Sequence, residues 1–279
     1  MTSAYEPVSP PVALAIAGSD SGGGAGMQAD LKAMTAHGVF GTSVVTATTA
    51  QNTRGVRDVH AIPASHVASQ YDAVVEDVDV EAVKTGMLAT AETVETVTEL
   101  LDEFAGPVVV DPVMVAATGD RLLSTEAESA YGDLIETATL VTPNADEAAV
   151  LVGEPVESPA DAERAGRELV SRGADAALVK GGHLDGDGET VVDTLVVGGG
   201  EDDAGATVSR FENPRVETDA THGSGCTLSS AIAARLARGE SLADATARAV
   251  DGMGAAIRRG YGIGDGPGAV NPTALDGGE

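Results

Sequence analysis

The sequence predicts an α/β fold: a three-layer α/β/α sandwich on a mostly parallel central sheet with an antiparallel edge. Three observations carry this. Short apolar runs alternate with helical patterns along the chain, the alternation that covers a parallel sheet on both faces. The runs are rich in valine and alanine with little polar alternation, as strands buried on both faces require. Two later runs, "TVVDTLVVGG" and "ATVSRFENPRV", are separated only by "GEDDAG" and read as an antiparallel hairpin at a sheet edge.

Taken in order, strands are expected at 12–18 ("VALAIAG"), 42–48, 81–86, 107–112, 138–143 and 175–182. Helices are expected at 25–36, 64–77, 90–104, 124–136, 158–172, 226–237 and 241–258. The second is opened by "PAS" and carries Val67, Tyr71, Val74 and Val75 on one face, and Ser158 caps the fifth. No internal repeat or long linker divides the chain. One domain over 12–272 is therefore expected, between a flexible segment 1–11 and a tail 273–279.

At 279 residues the chain is long enough to bury about 75% of its unfolded surface. Asp and Glu number 44 against 16 Lys and Arg, a formal net charge of -28, which argues against nucleic acid or an anionic membrane as partner. The acid is dispersed, there is no tryptophan, and the only lysines are Lys32, Lys84 and Lys180. This is the surface expected of a protein from a salt-accumulating, halophilic host, with the surviving lysines kept for chemistry. A single cysteine excludes an intramolecular disulfide, and no run of about 18 apolar residues marks a membrane span. The start "MTSAYEPVSPP" has neither a basic nor an apolar leader region, so a cytoplasmic location with loose first ten residues is expected.

In an open α/β sheet, ligands bind beyond the carboxyl ends of the strands. After the first strand comes "GSDSGGGAGMQADLK", glycines running into a helix that places Asp30 in its first turns. A glycine-rich helix start suits an anion, yet the spacing is neither a P-loop nor a dinucleotide fingerprint, and a plain connection reads equally well. "TAQNTRG" follows the second strand, where the Gln51 and Asn52 amides either meet a planar heterocycle or form a polar turn. Lys84 lies inside the apolar "VKTGML" and Asp111 ends a strand in "DPVM", places where charges are paired. In "TPNADEA", Asn144 and Glu147 leave the same helix turn together, either to hold hydrated magnesium near a phosphate or to cap the helix. "VKGGH" sets Lys180 beside bare backbone, which suits a phosphate tail or a simple turn.

The strongest single segment is "THGSGC". Gly223, Ser224 and Gly225 present consecutive N–H groups at a helix start, a cradle for an oxyanion or a phosphoryl group in flight. Cys226 in the first turn has its thiolate favoured by the helix dipole and is expected to act as a base near neutral pH; the alternative is a small buried packing residue. His222 either contacts a ligand or caps the glycine loop. His37, His60 and His66 lack metal-ligand spacing, which argues against zinc.

Together, "AGSDSGGGAGMQADLK", "TAQNTRGV", "VKTGML", "DPVMVAATGD", "TPNADEA", "VKGGH" and "THGSGCTLSSAIAA", in this order over about 12–258, closely resemble the hydroxymethylpyrimidine/phosphomethylpyrimidine kinases of thiamine biosynthesis. The resemblance implies a ribokinase-like fold and two ATP-dependent steps in one site. The first phosphorylates 4-amino-5-hydroxymethyl-2-methylpyrimidine, the second converts its monophosphate to the diphosphate. By position, Gln51 resembles the residue that pairs with the pyrimidine, and Gly18, Ala25, Asp30, Met87 and Val113 resemble pocket-lining residues. Cys226 resembles the base, and Gly223, Ser224 and Gly225 the anion hole. The resemblance also places Lys180, Asn144 and His222 on ATP and Glu147 with Asp111 on Mg2+, and it implies a homodimer. Phosphoryl transfer of this kind is positioning and electrostatics.

Three departures stand out. Ala117 in "VAATGD" occupies a position where the family commonly has lysine. "GIGDGPGAVNP" keeps only part of the family's C-terminal pattern and lacks its histidine. No thiamine-phosphate synthase domain follows, so that second activity is not expected. Competing readings are pyridoxal kinase, which shares the glycine-cysteine loop, and a non-catalytic pyrimidine sensor, against which Cys226, Glu147 and the glycines together argue. A Rossmann dehydrogenase lacks its fingerprint.

Overall fold

Among the described residues nine strands pair into one sheet in the order β3-β2-β1-β4-β5-β6-β7-β8-β9. The strands are β1 (Val12–Ser19), β2 (Phe40–Asn52), β3 (Gly55–Ala61), β4 (Ala82–Thr85), β5 (Val108–Val110), β6 (Leu140–Val141), β7 (Ala176–Val179), β8 (Thr190–Val197) and β9 (Thr207–Pro214). The computed structural model describes residues 7–114, 125–184, 188–199 and 205–275, with the side chains of 125–129 and 183 excepted. Ala117 and the rest of "VAATGD" lie outside the described residues.

The six expected parallel strands are present and run parallel from β2 through β7. The expected hairpin β8-β9 forms one antiparallel edge. The other edge is antiparallel as well, because β2 continues past the predicted end at 48 and turns at Thr53 and Arg54 into β3. The segment "GVRDVHA" escapes a sequence reading because most of β3 is exposed, so it shows no apolar run.

Among the described residues eight helices cover the sheet: α1 (Gly26–Ala36), α2 (Ala64–Val75), α3 (Ala91–Asp102), α4 (Thr125–Glu136), α5 (Ala145–Val152), α6 (Pro159–Ser171), α7 (Ser224–Ala237) and α8 (Leu242–Arg258). The strand residues sort themselves by parity. Leu14, Ile16, Val83, Val108 and Val110 pack in one cluster with residues of α2, α3, α4 and α6. Val109, Leu140, Ala176 and Leu178 pack on the opposite face with α7 and α8, while Ala13 and Ala15 meet Met34 of α1. Successive side chains point to opposite faces, so a strand with apolar residues at every position serves both layers. The alanines on the α7 side let α1 and α7 approach the sheet closely.

Caps follow the sequence closely. Thr90, Ser158 and Ser241 each accept an N–H from the first turn of α3, α6 and α8. The C-terminal boundary needs correction, because Ala274 and Leu275 are buried and the core extends past 272. No helix among the described residues is long and apolar enough to cross a membrane.

Candidate active site

The carboxyl ends of β1, β2, β4, β5, β6 and β7 open into a cleft of about 560 Å³. Its lining brings together Gly18, Ala25, Gln51, Met87, Asp111, Val113, Asn144, Glu147, Lys180, His222, Gly223, Ser224, Gly225 and Cys226, all named from the sequence. Asp30 is the exception. It does not line the cleft; it is fully buried, its Oδ1 accepting from Lys84 Nζ at 2.8 Å and Ser230 Oγ at 2.7 Å. A carboxylate on the buried face of α1 points to the sheet, where the Lys84 ammonium on β4 neutralises it. Lys84 itself is fully buried, 3.9 Å from Asp111 Oδ2, and these carboxylates outweigh the effect of burial and hold its ammonium firmly charged.

A second charged group stands at the ends of β5, β6 and β7. Asp111 Oδ1 accepts from Lys180 Nζ at 3.1 Å and from Thr142 Oγ1 at 3.3 Å, and its Oδ2 accepts from Ser229 Oγ at 3.2 Å. Burial works against its charge, but Lys180 and Lys84 prevail and hold its carboxyl below the usual range. Lys180 also lies 3.9 Å from Glu147 Oε2. Burial pushes the Glu147 carboxyl up to about 7; Lys180 pulls it down and the Asp111 charge adds to the rise.

The capping reading of Asn144 holds. Its side chain accepts from the Glu147 N–H at 2.8 Å while Glu147 Oε2 accepts from the Asn144 N–H at 2.8 Å, a reciprocal capping box for α5. Because the cap faces the cleft, the same two residues also line it.

The glycine-cysteine loop forms a helix start as expected, with one change. Gly223 caps α7 at φ 77°, and a Cβ there would stand 1.9 Å from Gly24 O, so both conformation and space demand glycine. The Ser224 N–H is not free, since it closes a turn on Thr221 O at 3.1 Å. The donors available to an anion are thus those of the next first-turn residues, Gly225 and Cys226, which have no intrahelical acceptor. A Cβ on Gly225 would stand 3.1 Å from Lys180 Nζ, which sets bare helix start and ammonium side by side.

Cys226 departs from the sequence expectation of a thiolate near neutral pH. Burial pushes its thiol up to about 12; Lys84 works against this, the Asp30 and Asp111 charges add to it, and the Gly26 N–H works against it. Burial, aided by the two carboxylates, thus outweighs Lys84 and the Gly26 N–H.

Gln51 lies in β2, not in a turn, and its Oε1 is 3.1 Å from Thr49 Oγ1. Gly18 and Met87 meet across the floor; a Cβ on Gly18 would fall 2.4 Å from Met87 Cε. His222 Nε2 stands 3.1 Å from Asp20 Oδ2. Sequence reasoning passed over Asp20, Thr142, Ser229 and Ser230. The one available signal was an acidic residue opening a run of glycines at Asp20; the three hydroxyls look like ordinary helix and strand residues.

Among solved structures, the pyridoxal kinase of Bacillus subtilis, in its ADP complex, is 32% identical with a TM-score of 0.85, covering 96% of this chain and 99% of that one. The phosphomethylpyrimidine kinase of Clostridium difficile is 38% identical with a TM-score of 0.75, covering 88% and 99%. The fold is ribokinase-like, and the protein is a small-molecule kinase, a phosphotransferase. Residues 20–271 match the model of the phosphomethylpyrimidine kinase family. The hydroxymethylpyrimidine/phosphomethylpyrimidine kinase of Streptomyces coelicolor is 48% identical over 97% of each chain. The chain belongs to the phosphomethylpyrimidine kinase family.

Proposed function

We propose that the chain phosphorylates the hydroxymethyl group of 4-amino-5-hydroxymethyl-2-methylpyrimidine from ATP, and then its monophosphate to the diphosphate, for thiamine biosynthesis. One observation carries this reading: a single cleft is lined both by the Gln51 amide and by Cys226, the start of α7 and Lys180. The amide suits the edge of an aminopyrimidine, and the cationic part suits a phosphoryl group.

In this proposal Gln51 pairs with the ring, and Gly18, Ala25, Met87 and Val113 wall it. Asp30 acts from behind the wall by holding Lys84. Gly223 shapes the helix start, the N–H groups at Gly225 and Cys226 face the transferring phosphoryl, and Lys180 and Asn144 meet ATP phosphates. Cys226 takes the hydroxyl proton, with Lys84 the cation that favours its thiolate. Among the described residues no group of three or more His, Cys, Asp or Glu forms a metal cage. Asp111 and Glu147 are two hard oxygen donors on one ammonium, a set that fits Mg2+ shared with phosphate oxygens and water. When bound, the ion would neutralise charge on the phosphates. The absence of a nucleic-acid partner rests on the net charge of -28, and a homodimer rests on the family resemblance.

The test is turnover with hydroxymethylpyrimidine, its monophosphate and pyridoxal offered separately with ATP, in low and molar potassium chloride, with products identified by mass. Phosphorylation of both pyrimidines with poor use of pyridoxal is expected. The likeness to a pyridoxal kinase makes pyridoxal the second reading, and preferential pyridoxal phosphate formation would establish it in place of the first.

A further inference from the structure

The Asp20 carboxylate is almost fully buried, and both of its oxygens are occupied. Oδ1 accepts from the Gly22 N–H at 2.7 Å; Oδ2 accepts from the N–H groups of Gly24 at 3.0 Å and Ala25 at 2.9 Å and faces His222 Nε2 at 3.1 Å. Burial opposes its charge, but His222 and the loop N–H groups prevail and hold the carboxyl below its ordinary range. The His222 ring is 12% exposed and packs on Gly24, where a Cβ would fall 2.5 Å from His222 Cδ2. Two glycine loops far apart in sequence are thus interlocked sterically and joined by one acid-imidazole contact.

That contact closes a ring of four segments around the cleft. Ser21 Oγ donates to Gln51 O at 2.7 Å and accepts the Gln51 N–H at 2.8 Å, binding the first loop to the β2-β3 turn. The turn is bound to the C-terminal segment by the Gly266 N–H on Thr53 Oγ1 at 3.2 Å and by an Arg54–Asp265 ion pair. That segment is bound to the α7 loop, since the His222 N–H donates to Gly268 O at 3.0 Å and the Val270 N–H to His222 O at 3.1 Å. The expected departure of "GIGDGPGAVNP" therefore has a structural use: its glycines lie against the turn that follows Gln51. A Cβ on Gly266 would stand 1.8 Å from Thr53 O.

We infer that Asp20 and His222 are a positioning pair: by closing this ring they fix the anion-binding start of α7 and Cys226 at a set distance from Gln51, and so from the substrate hydroxyl. This deepens the proposed function and rests on it. His222 then acts through the loop it holds, which replaces the sequence expectation that it binds ATP. Phosphoryl transfer has little covalent chemistry for the protein to perform, so its rate depends on such alignment.

The test compares wild type with Asp20→Asn, His222→Ala, the double variant and His222→Gln, whose amide still donates towards Asp20. Each of the first two is expected to lower kcat about 10²-fold. KM values for pyrimidine and ATP should move less than about threefold, the signature of an interaction realised in the transition state. The double variant should be no worse than the more damaged single one, and His222→Gln should recover most of the rate. A loss confined to KM for ATP, additive losses in the double variant, or no rescue by glutamine would overturn the pair. If wild type phosphorylates pyridoxal but no pyrimidine, the substrate reading fails and the same comparison is made with pyridoxal. Should a variant fail to fold, the ring nitrogens of His222 in the intact protein decide by NMR: the Nε2–H form supports the pair, the Nδ1–H form overturns it.

Discussion

Lys84 Nζ donates to Asp30 Oδ1 at 2.8 Å with both side chains fully buried, and the charges of both act on Cys226. Removing one partner of a buried pair strands a charge in a dry site and typically costs about 3–5 kcal/mol. Lys84→Met is therefore expected to lower the free energy of unfolding, measured by urea titration, by that much. Lys84→Met with Asp30→Leu should recover much of the loss, because an apolar pair needs no desolvation. A single Lys84→Met variant as stable as wild type would show that the pair contributes nothing.

This pair also marks the limit of what could be read from sequence. The layered fold was legible because every residue of β1 is apolar or small and the helices carry periodic faces and caps. The cleft was legible because glycines cluster after strands, as at Gly223 and Gly225. The partners of charges were not, since Asp30 and Lys84 lie 54 positions apart and Asp20 and His222 lie 202 apart, and no local pattern encodes such meetings. The same holds for the surroundings of Cys226: the dipole of its own helix is local, whereas the burial that raises its thiol and the charges of Lys84, Asp30 and Asp111 come from segments distant in sequence.

Gln51 is held ready on β2, where Thr49 Oγ1 lies near both Ser19 O at 2.9 Å and Gln51 Oε1 at 3.1 Å. Gln51→Ala should raise KM for hydroxymethylpyrimidine about tenfold or more, the equivalent of one or two lost hydrogen bonds. Gln51→Glu should do the same by losing the donor. KM for ATP should stay unchanged in both, measured by steady-state kinetics with each substrate varied; a parallel rise for ATP would move Gln51 out of the pyrimidine pocket.

Glu147 gives a pH dependence whose sign follows from its raised carboxyl. The folded protein holds the proton up to about 7 against an ordinary value of 4.5. Its contribution to stability is thus fully present below pH 4.5 and is lost as pH rises through about 7. Glu147→Gln lacks this titration, so without divalent cation the variant should gain stability over wild type between pH 4.5 and 7, by roughly 3 kcal/mol at most. Magnesium should reverse the order above pH 7 by favouring the carboxylate. Thermal unfolding of both proteins across this range, with and without the ion, checks each arm; a constant difference would mean that Glu147 titrates normally.

Cys226 is the only cysteine, so its reactivity can be followed by intact mass without ambiguity. With the thiol pushed up to about 12, only a trace is thiolate at neutral pH. Alkylation by iodoacetamide at pH 8 should run about 10³-fold slower than for an ordinary cysteine and climb steadily past pH 10. Lys84→Met, which removes the favourable cation, should slow it further; Asp111→Asn, which removes an opposing charge, should speed it. Cys226→Ala should abolish phosphorylation while pyrimidine binding, measured by calorimetry, survives. Alkylation as fast as that of a free cysteine would mean that the thiol is not governed by the buried charges around it. Turnover by the alanine variant would leave Cys226 a packing residue at the start of α7.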